Sequence, residues 1–355
     1  MQTVEEHLTE DEKRSEVNIV LNPFFDADSG EVPEVSRDIE KIFYEVANDK
    51  FPNFKFGRLR ANNLANAHYI IDGKIRYERI KLSDNDFTSK FYYHVFAGLT
   101  DLRQNKIKMG NADIWIDDQT LDYTPSAIYR DSPMYLRDQS LESSLKIIES
   151  PANTSADIQY LKFLKTKALL IDAGTAYENR DYKKSLEFFQ RAAQRDDGQV
   201  MKTYAGLYMT NYMLKRFPEA EDAFGKLVAI SVEKTNSLTV KFLFGVNDVG
   251  FLKDKKLKKQ YKIWLKKIGE YFKQTSKCLE IIGHCSNTGP VKWNNKLSFN
   301  RAKRIQQLIN KNFPQIKKHS KAIGKGFYET IIGSGTDDEK DALDRRVEFK
   351  VVPCR

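Results

Sequence analysis

The residues with the most chemical potential lie near the C-terminus, in Cys278-Leu-Glu-Ile-Ile-Gly-His-Cys-Ser-Asn-Thr-Gly289, Asn294-Asn-Lys-Leu-Ser-Phe-Asn-Arg-Ala302 and Asp344-Arg-Arg-Val-Glu-Phe349. Nucleophilic catalysis would need a base beside an activated serine or thiol. His284 and Ser286 are two apart, but no Gly-x-Ser-x-Gly elbow surrounds the serine, so an enzyme is not expected. Cys278, His284 and Cys285 lack a fourth ligand at finger-like spacing, so neither a metal nor a cofactor is expected. What remains is recognition. An apolar strand through Leu279, Ile281 and Ile282 ends in a glycine-bracketed loop, and a helix with Leu297, Ala302, Ile305, Leu308 and Ile309 on one face follows. A short strand opened by an arginine pair comes last. This order places a small polar pocket beside fixed guanidinium groups and suits a ligand bearing carboxylates.

The same residues resemble the OmpA-like peptidoglycan-binding family. Its pattern of strand, Gly-His-Thr-Asp-x-x-Gly, Asn-x-x-Leu-Ser-x-x-Arg-Ala and a terminal Asn/Asp-Arg-Arg-Val-Glu strand is met by Gly283, His284, Gly289, Asn294, Leu297, Ser298, Arg301, Ala302 and Asp344 to Glu348. Three blocks in the right order are far more specific than any one alone. The resemblance implies a βαβαββ domain over residues 236–355 that binds the diaminopimelate-bearing stem peptide of peptidoglycan. The implied contacts are Ser286, Thr288, Asn294, Arg301, Arg345 and Arg346. In the family a loop Asp and the helix Arg hold the amino and carboxylate ends of the diamino acid, and by position these roles fall on Ser286 and Arg301. A hydroxyl cannot neutralise an ammonium, so Asp337, Asp338 and, more weakly, Asp344 are candidates for that charge. Asp344 is also a candidate structural partner for Arg301.

The chain of 355 residues has a net charge of +9, unevenly spread: residues 236–355 hold 26 Lys+Arg against 11 Asp+Glu, which leaves 32 against 38 for residues 1–235. A basic module reads first as nucleic-acid binding. No such motif accompanies it, and an anionic wall polymer attracts it by the same Coulomb term, so no nucleic-acid partner is expected. The three cysteines all sit in this module. Cys278 opens one strand and Cys354 ends the last; a disulfide between them, with Cys285 left over, and three reduced, partly buried thiols stand side by side as readings. No apolar run approaches the ~20 residues that span a bilayer. The opening Met1-Gln-Thr-Val-Glu-Glu has no basic-then-apolar leader. Because wall binding is useless in the cytosol, the expected place is the periplasm, associated with the outer membrane, with the signal segment absent from this chain and a lipid anchor on the native N-terminus in view.

Upstream, residues 1–16 read as a polar flexible tail. Residues 17–118 read as an α/β sandwich: a strand from Val17, a helix N-capped by Ser36 with Ile39, Ile42, Phe43 and Val46 as its packed face, then strands Phe54–Arg60, Tyr69–Lys81, Phe91–Leu102 and Lys106–Ile116 in a largely antiparallel sheet. This order loosely resembles the periplasmic α/β domain of CsgG-like and LpoB-like envelope lipoproteins, which implies self-assembly or docking on an envelope partner. His68 and His94 lack ligands at metal spacing. Residues 119–156 read as a linker with one short helix near Leu141–Ile148. In residues 157–235, Tyr177, Tyr182, Ser185, Phe189 and Ala192 recur 35 positions on as Tyr212, Phe217, Ala220, Phe224 and Leu227. The pattern resembles tetratricopeptide repeats, with a preceding helix at about Ile158–Leu170 and the final module capping the ends, and implies either a peptide groove or a rigid spacer. The whole is α+β and multidomain: a non-enzymatic envelope protein that binds peptidoglycan, or alternatively a periplasmic scaffold for a secretion or wall-synthesis complex with weak or lost wall affinity.

Overall fold

The computed structural model describes residues 17–81, 89–118, 120–137, 139–245, 247–275, 277–330 and 344–354. The expected N-terminal tail lies outside these residues. The described chain divides into two compact units, residues 1–130 with 139–198, and residues 131–138 with 199–355.

The first unit is built on a mixed sheet of β1 (Val17–Leu21), β2 (Phe25–Asp26), β3 (Phe54–Arg58), β4 (Tyr69–Lys81), β5 (Ser89–Asp101) and β6 (Lys106–Ile116). The order is β3-β1-β4-β5-β6, with β2 also on β4. The expected largely antiparallel sheet is corrected here: β1 runs parallel to both β3 and β4, and β2 parallel to β4, while β4-β5-β6 is an antiparallel meander. The parallel pairs follow from the helix between β1 and β3, since parallel neighbours need a crossover.

That helix, α1 (Val35–Lys50), packs on one face, where Val17, Leu21, Val35, Tyr69, Ile71 and Leu99 form a core. Its buried stripe is Val35, Ser36, Glu40 and Ala47, with Ile39 and Phe43 against the core. Ile42 and Val46, expected inside, are 58% and 49% exposed. Glu40 takes a core-facing place instead, 3.6 Å from Arg58 Nε, and burial raises its carboxyl above the usual range. Ser36 is not the cap either: it lies inside the first turn and its hydroxyl donates to Phe24 O at 2.7 Å.

Residues 119–156 are not a simple linker. They include α2 (Ala127–Asp131) and α3 (Gln139–Glu149), whose Leu141, Leu145 and Ile148 are buried against Phe25, Ala27 and Phe96 on the other sheet face. The short helix expected near Leu141–Ile148 is α3, about three turns long. Helix α4 (Ile158–Glu178) covers the same face through Tyr160, Leu164 and Ala168, and α5 (Tyr182–Ala193) folds back on it. The expected capping helix and the first repeat helix are one, because nothing between Leu170 and Gly174 breaks it. Buried Asp72 of β4 accepts from Asn22 Nδ2 at 2.8 Å, from Lys167 Nζ at 3.1 Å and from the Tyr160 hydroxyl, so its charge is compensated.

The second unit starts with the hairpin α6 (Met201–Met213) and α7 (Phe217–Thr235). The sequence repeat is visible inside each hairpin. Tyr177 and Tyr182 meet edge to face at 5.2 Å and 67°, and Tyr212 and Phe217 at 5.5 Å and 71°. The hairpin turns put Arg180 and Lys215, 35 positions apart, at φ 61° each. The remaining elements are β7 (Ser237–Val240), α8 (Lys255–Lys273), β8 (Cys278–Gly283), α9 (Val291–Asn312), β9 (Ser320–Gly324) and β10 (Val347–Val352), the order βαβαββ. The sheet runs β7-β10-β8-β9, with only β8 and β9 parallel. Trp264 of α8 is 2% exposed; its indole donates to Tyr208 Oη at 2.6 Å and its ring stacks near Phe224, which ties α8 to the α6/α7 hairpin. Residues 133–135 lie along β7: Tyr135 N donates to Thr239 O at 3.0 Å and Lys241 N to Pro133 O at 2.9 Å. No described helix is long and apolar enough to cross a membrane.

Candidate functional site

The three sequence blocks come together at the end of β8. Glycine is required there by close approach: a Cβ on Gly283 would stand 2.0 Å from Ser298 O, and one on Gly324 at the end of β9 would stand 2.6 Å from Phe299 N. Both parallel strands therefore end hard against α9, and no side chain fits between. The turn after β9 is held at the same point. Lys325 N donates to Gly283 O at 3.0 Å, Cys285 N to Gly326 O at 2.8 Å, and Gly326 N to Ser298 Oγ at 2.9 Å.

The loop between β8 and α9 closes on the helix. Asn294 Nδ2 donates to Thr288 O at 2.5 Å, and the buried Cys285 thiol to Asn294 O at 3.6 Å. Ser286, at the position that resembles the family's carboxylate, is buried, and its hydroxyl lies 3.4 Å from that of half-buried Thr288.

Arg301 projects from the third turn of α9 and is 1% exposed. Its Nε donates to Asp248 O at 3.1 Å, Nη2 to Gly245 O at 3.0 Å and Nη1 to Cys285 Sγ at 3.7 Å, while the guanidinium lies 5.1 Å from the Phe244 ring centre. The arginine thus pins the loop after β7 to the loop after β8. Sequence reasoning missed the loop's part in this. Gly245 and Gly250, which close it through Gly245 N to Gly250 O at 3.0 Å, were the available signal.

The third block arrives on β10. Asp344 is fully buried, Arg345 is half-buried and Arg346 is 5% exposed. Arg346 Nε donates to Glu348 Oε1 at 2.6 Å and Nη2 to Glu329 O at 3.1 Å, and its own carbonyl accepts from His284 N at 3.0 Å. His284 is 1% exposed between Glu329 and Glu348, 3.9 and 3.8 Å away, yet among the described residues neither ring nitrogen has a hydrogen-bond partner. Burial first, then the Arg346 charge, pushes its pKa down to about 3, so the imidazole is neutral at ordinary pH. Asp337 and Asp338 lie outside the described residues.

At the far end of β8, Cys278 and Cys354 are joined by a disulfide with a Cα–Cα distance of 5.0 Å across 76 positions, as the pairing of Cys278 with Val352 allows. His319 Nδ1 is 3.7 and 3.6 Å from the two sulfurs. Bonded to each other, those sulfurs supply no thiolate ligands. Cys285 is free and buried.

No family model matches the chain. No curated protein matches it. Solved structures similar to part of it include the cell wall anchor of the T6SS from Pseudomonas aeruginosa, at 20% identity and TM-score 0.27, covering 34% of this chain and 81% of that one. The peptidoglycan-associated lipoprotein from Burkholderia pseudomallei is similar at 18% identity and TM-score 0.27, covering 32% of this chain and 88% of that one. An outer membrane protein from Borrelia burgdorferi B31 is similar at 22% identity and TM-score 0.25, covering 33% and 88% respectively.

Proposed function

We propose that the chain is a non-enzymatic protein of the cell envelope, working in the periplasm, whose second unit binds peptidoglycan non-covalently. The observation that carries this reading is the convergence of the glycine-bracketed loop, the Asn294/Ser298/Arg301 helix face and the Asp344-Arg-Arg strand at one end of β8. Thr288 and Arg345 are the half-exposed contacts for a stem peptide; buried Asn294 holds the Thr288 carbonyl, and Arg301 sets the loop that presents them. Its guanidinium meets a ligand carboxylate only by exchanging one of its carbonyl partners. The excess of cations in residues 236–355 favours an anionic polymer by steering. The finer assignments, a diaminopimelate ligand, outer-membrane association, a lipid anchor and an envelope partner for the first unit, belong to the same proposal.

The test is co-sedimentation of the full chain with purified sacculi. Arg345→Ala is expected to weaken binding by about tenfold, the loss of one charge-assisted contact, and Ser286→Asp to tighten it by returning a carboxylate for the ammonium. Unchanged co-sedimentation of Arg345→Ala and Arg301→Lys, both shown folded by circular dichroism, would refute the reading.

A second reading has its own support. Ser286 carries no charge and Arg301 is already engaged by Gly245 O and Asp248 O, which suits a scaffold with weak or lost wall affinity. Titration of free diaminopimelic acid separates the two, since a scaffold gives no saturable binding for either wild type or Ser286→Asp.

A further inference from the structure

A cleft of about 570 Å³ lies wholly within the first unit, between the loop after β3 and the α4/α5 hairpin, far in sequence from the wall motif. Its volume falls within the ordinary range of ligand clefts. One side is built and electrically closed. Arg60 Nη1 donates to Asp172 Oδ1 at 3.0 Å and to Thr175 Oγ1 at 2.8 Å, and Asp172 Oδ2 accepts the Ala61 N–H at 2.9 Å. This fixes the wall that carries Asn62.

The other side is α5, which lines the cleft with Lys184, Phe188 and Arg191 at positions i, i+4 and i+7, one face of a helix. Asp181, also at the cleft, spends an oxygen capping the helix at Lys184 N, 3.1 Å away. Among the described residues neither Lys184 nor Arg191 has a carboxylate partner; Arg191 instead lies over the Phe188 ring at 5.5 Å. Asn62 and Asn179 complete the lining with amides.

We infer that this cleft binds an extended peptide segment with acidic, apolar and acidic residues at i, i+2 and i+4. The cations are about 10 Å apart along the helix axis, and alternate residues of an extended strand place the two acids about 13 Å apart on one face, a mismatch that two long side chains absorb. The central apolar residue falls on Phe188. Side-chain amides both donate and accept, as a peptide unit requires, whereas a phosphate would want donors alone. The inference does not rest on wall binding, which concerns other residues.

The experiment is fluorescence anisotropy of the full chain with a labelled Gly-Asp-Ser-Leu-Ser-Asp-Gly peptide. Saturable, salt-sensitive binding is expected, weakened about tenfold or more by Lys184→Glu/Arg191→Glu, two exposed charges whose reversal leaves the fold intact. Sacculus co-sedimentation by the same variant is expected to be unchanged. Equal binding by wild type and variant, equal binding of a peptide with Lys in place of both Asp, or tighter binding of inorganic pyrophosphate than of the peptide would overturn the inference. So would loss of co-sedimentation in the variant, which would make the cleft part of a wall site.

Discussion

Arg301 Nη2 donates to Gly245 O across 3.0 Å, joining helix α9 to a loop 56 positions earlier in the chain. An arginine that the motif marks for ligand contact is therefore also a strut. The two carbonyls it serves belong to half-buried Gly245 and exposed Asp248, while the arginine itself is 1% exposed. Arg301→Met should cost about 2 kcal/mol, because two main-chain acceptors lose a charged donor. Urea unfolding of the full chain checks this, with Arg301→Lys expected to recover part of the loss.

The Cys278–Cys354 disulfide closes a long loop, and on chain-entropy grounds its removal should cost about 4 kcal/mol. Cys278→Ser/Cys354→Ser protein is expected to melt well below wild type, and dithiothreitol to lower the wild-type midpoint while leaving the double variant unchanged.

His284 gives the second unit an acid sensitivity whose direction is fixed. Its folded pKa is down at about 3 against 6.5 unperturbed, so on acidification the unfolded chain takes up the proton first. The contribution of neutral His284 is complete above pH ~6.5 and is lost as pH falls towards 3, on the order of 1.4 kcal/mol per unit. His284→Leu should flatten the stability profile between pH 6.5 and 4 relative to wild type, measured by denaturation across that range.

Gly283→Ala tests the close approach of strand and helix. The new methyl would meet Ser298 O at 2.0 Å, main chain that cannot rotate away, so α9 must shift. A destabilisation of ~2 kcal/mol or more is expected, together with loss of protection of the Gly326 amide in hydrogen exchange, since Ser298 Oγ is its acceptor.

Much of the second unit was legible because its constraints are local and discrete. Glycines at 283 and 289, the Asn-x-x-Leu-Ser-x-x-Arg spacing and Pro314 after α9 each mark one geometric event, and the strands and helices fall close to where those marks place them. The 35-residue period was equally plain, since paired aromatics and a left-handed turn residue recur with it. The first unit was harder for two reasons. Glu40 and Ser36 occupy inward positions that polarity alone assigns to solvent, which rotated the expected face of α1. Moreover, β1, β3 and β4 pair in parallel, and strand direction leaves no trace in an alternation pattern. In the candidate site, the carbonyls that Arg301 serves were invisible because main-chain acceptors have no sequence signature.

The strip formed by residues 133–135 along β7 makes the protein's two units interleaved in sequence. A fragment cut at residue 199 or 236 would lack that strip and present β7 with a naked hydrogen-bonding edge. Such a fragment is expected to pair edge to edge with its own copies, and a dimer seen with it would be a property of the cut rather than of the protein.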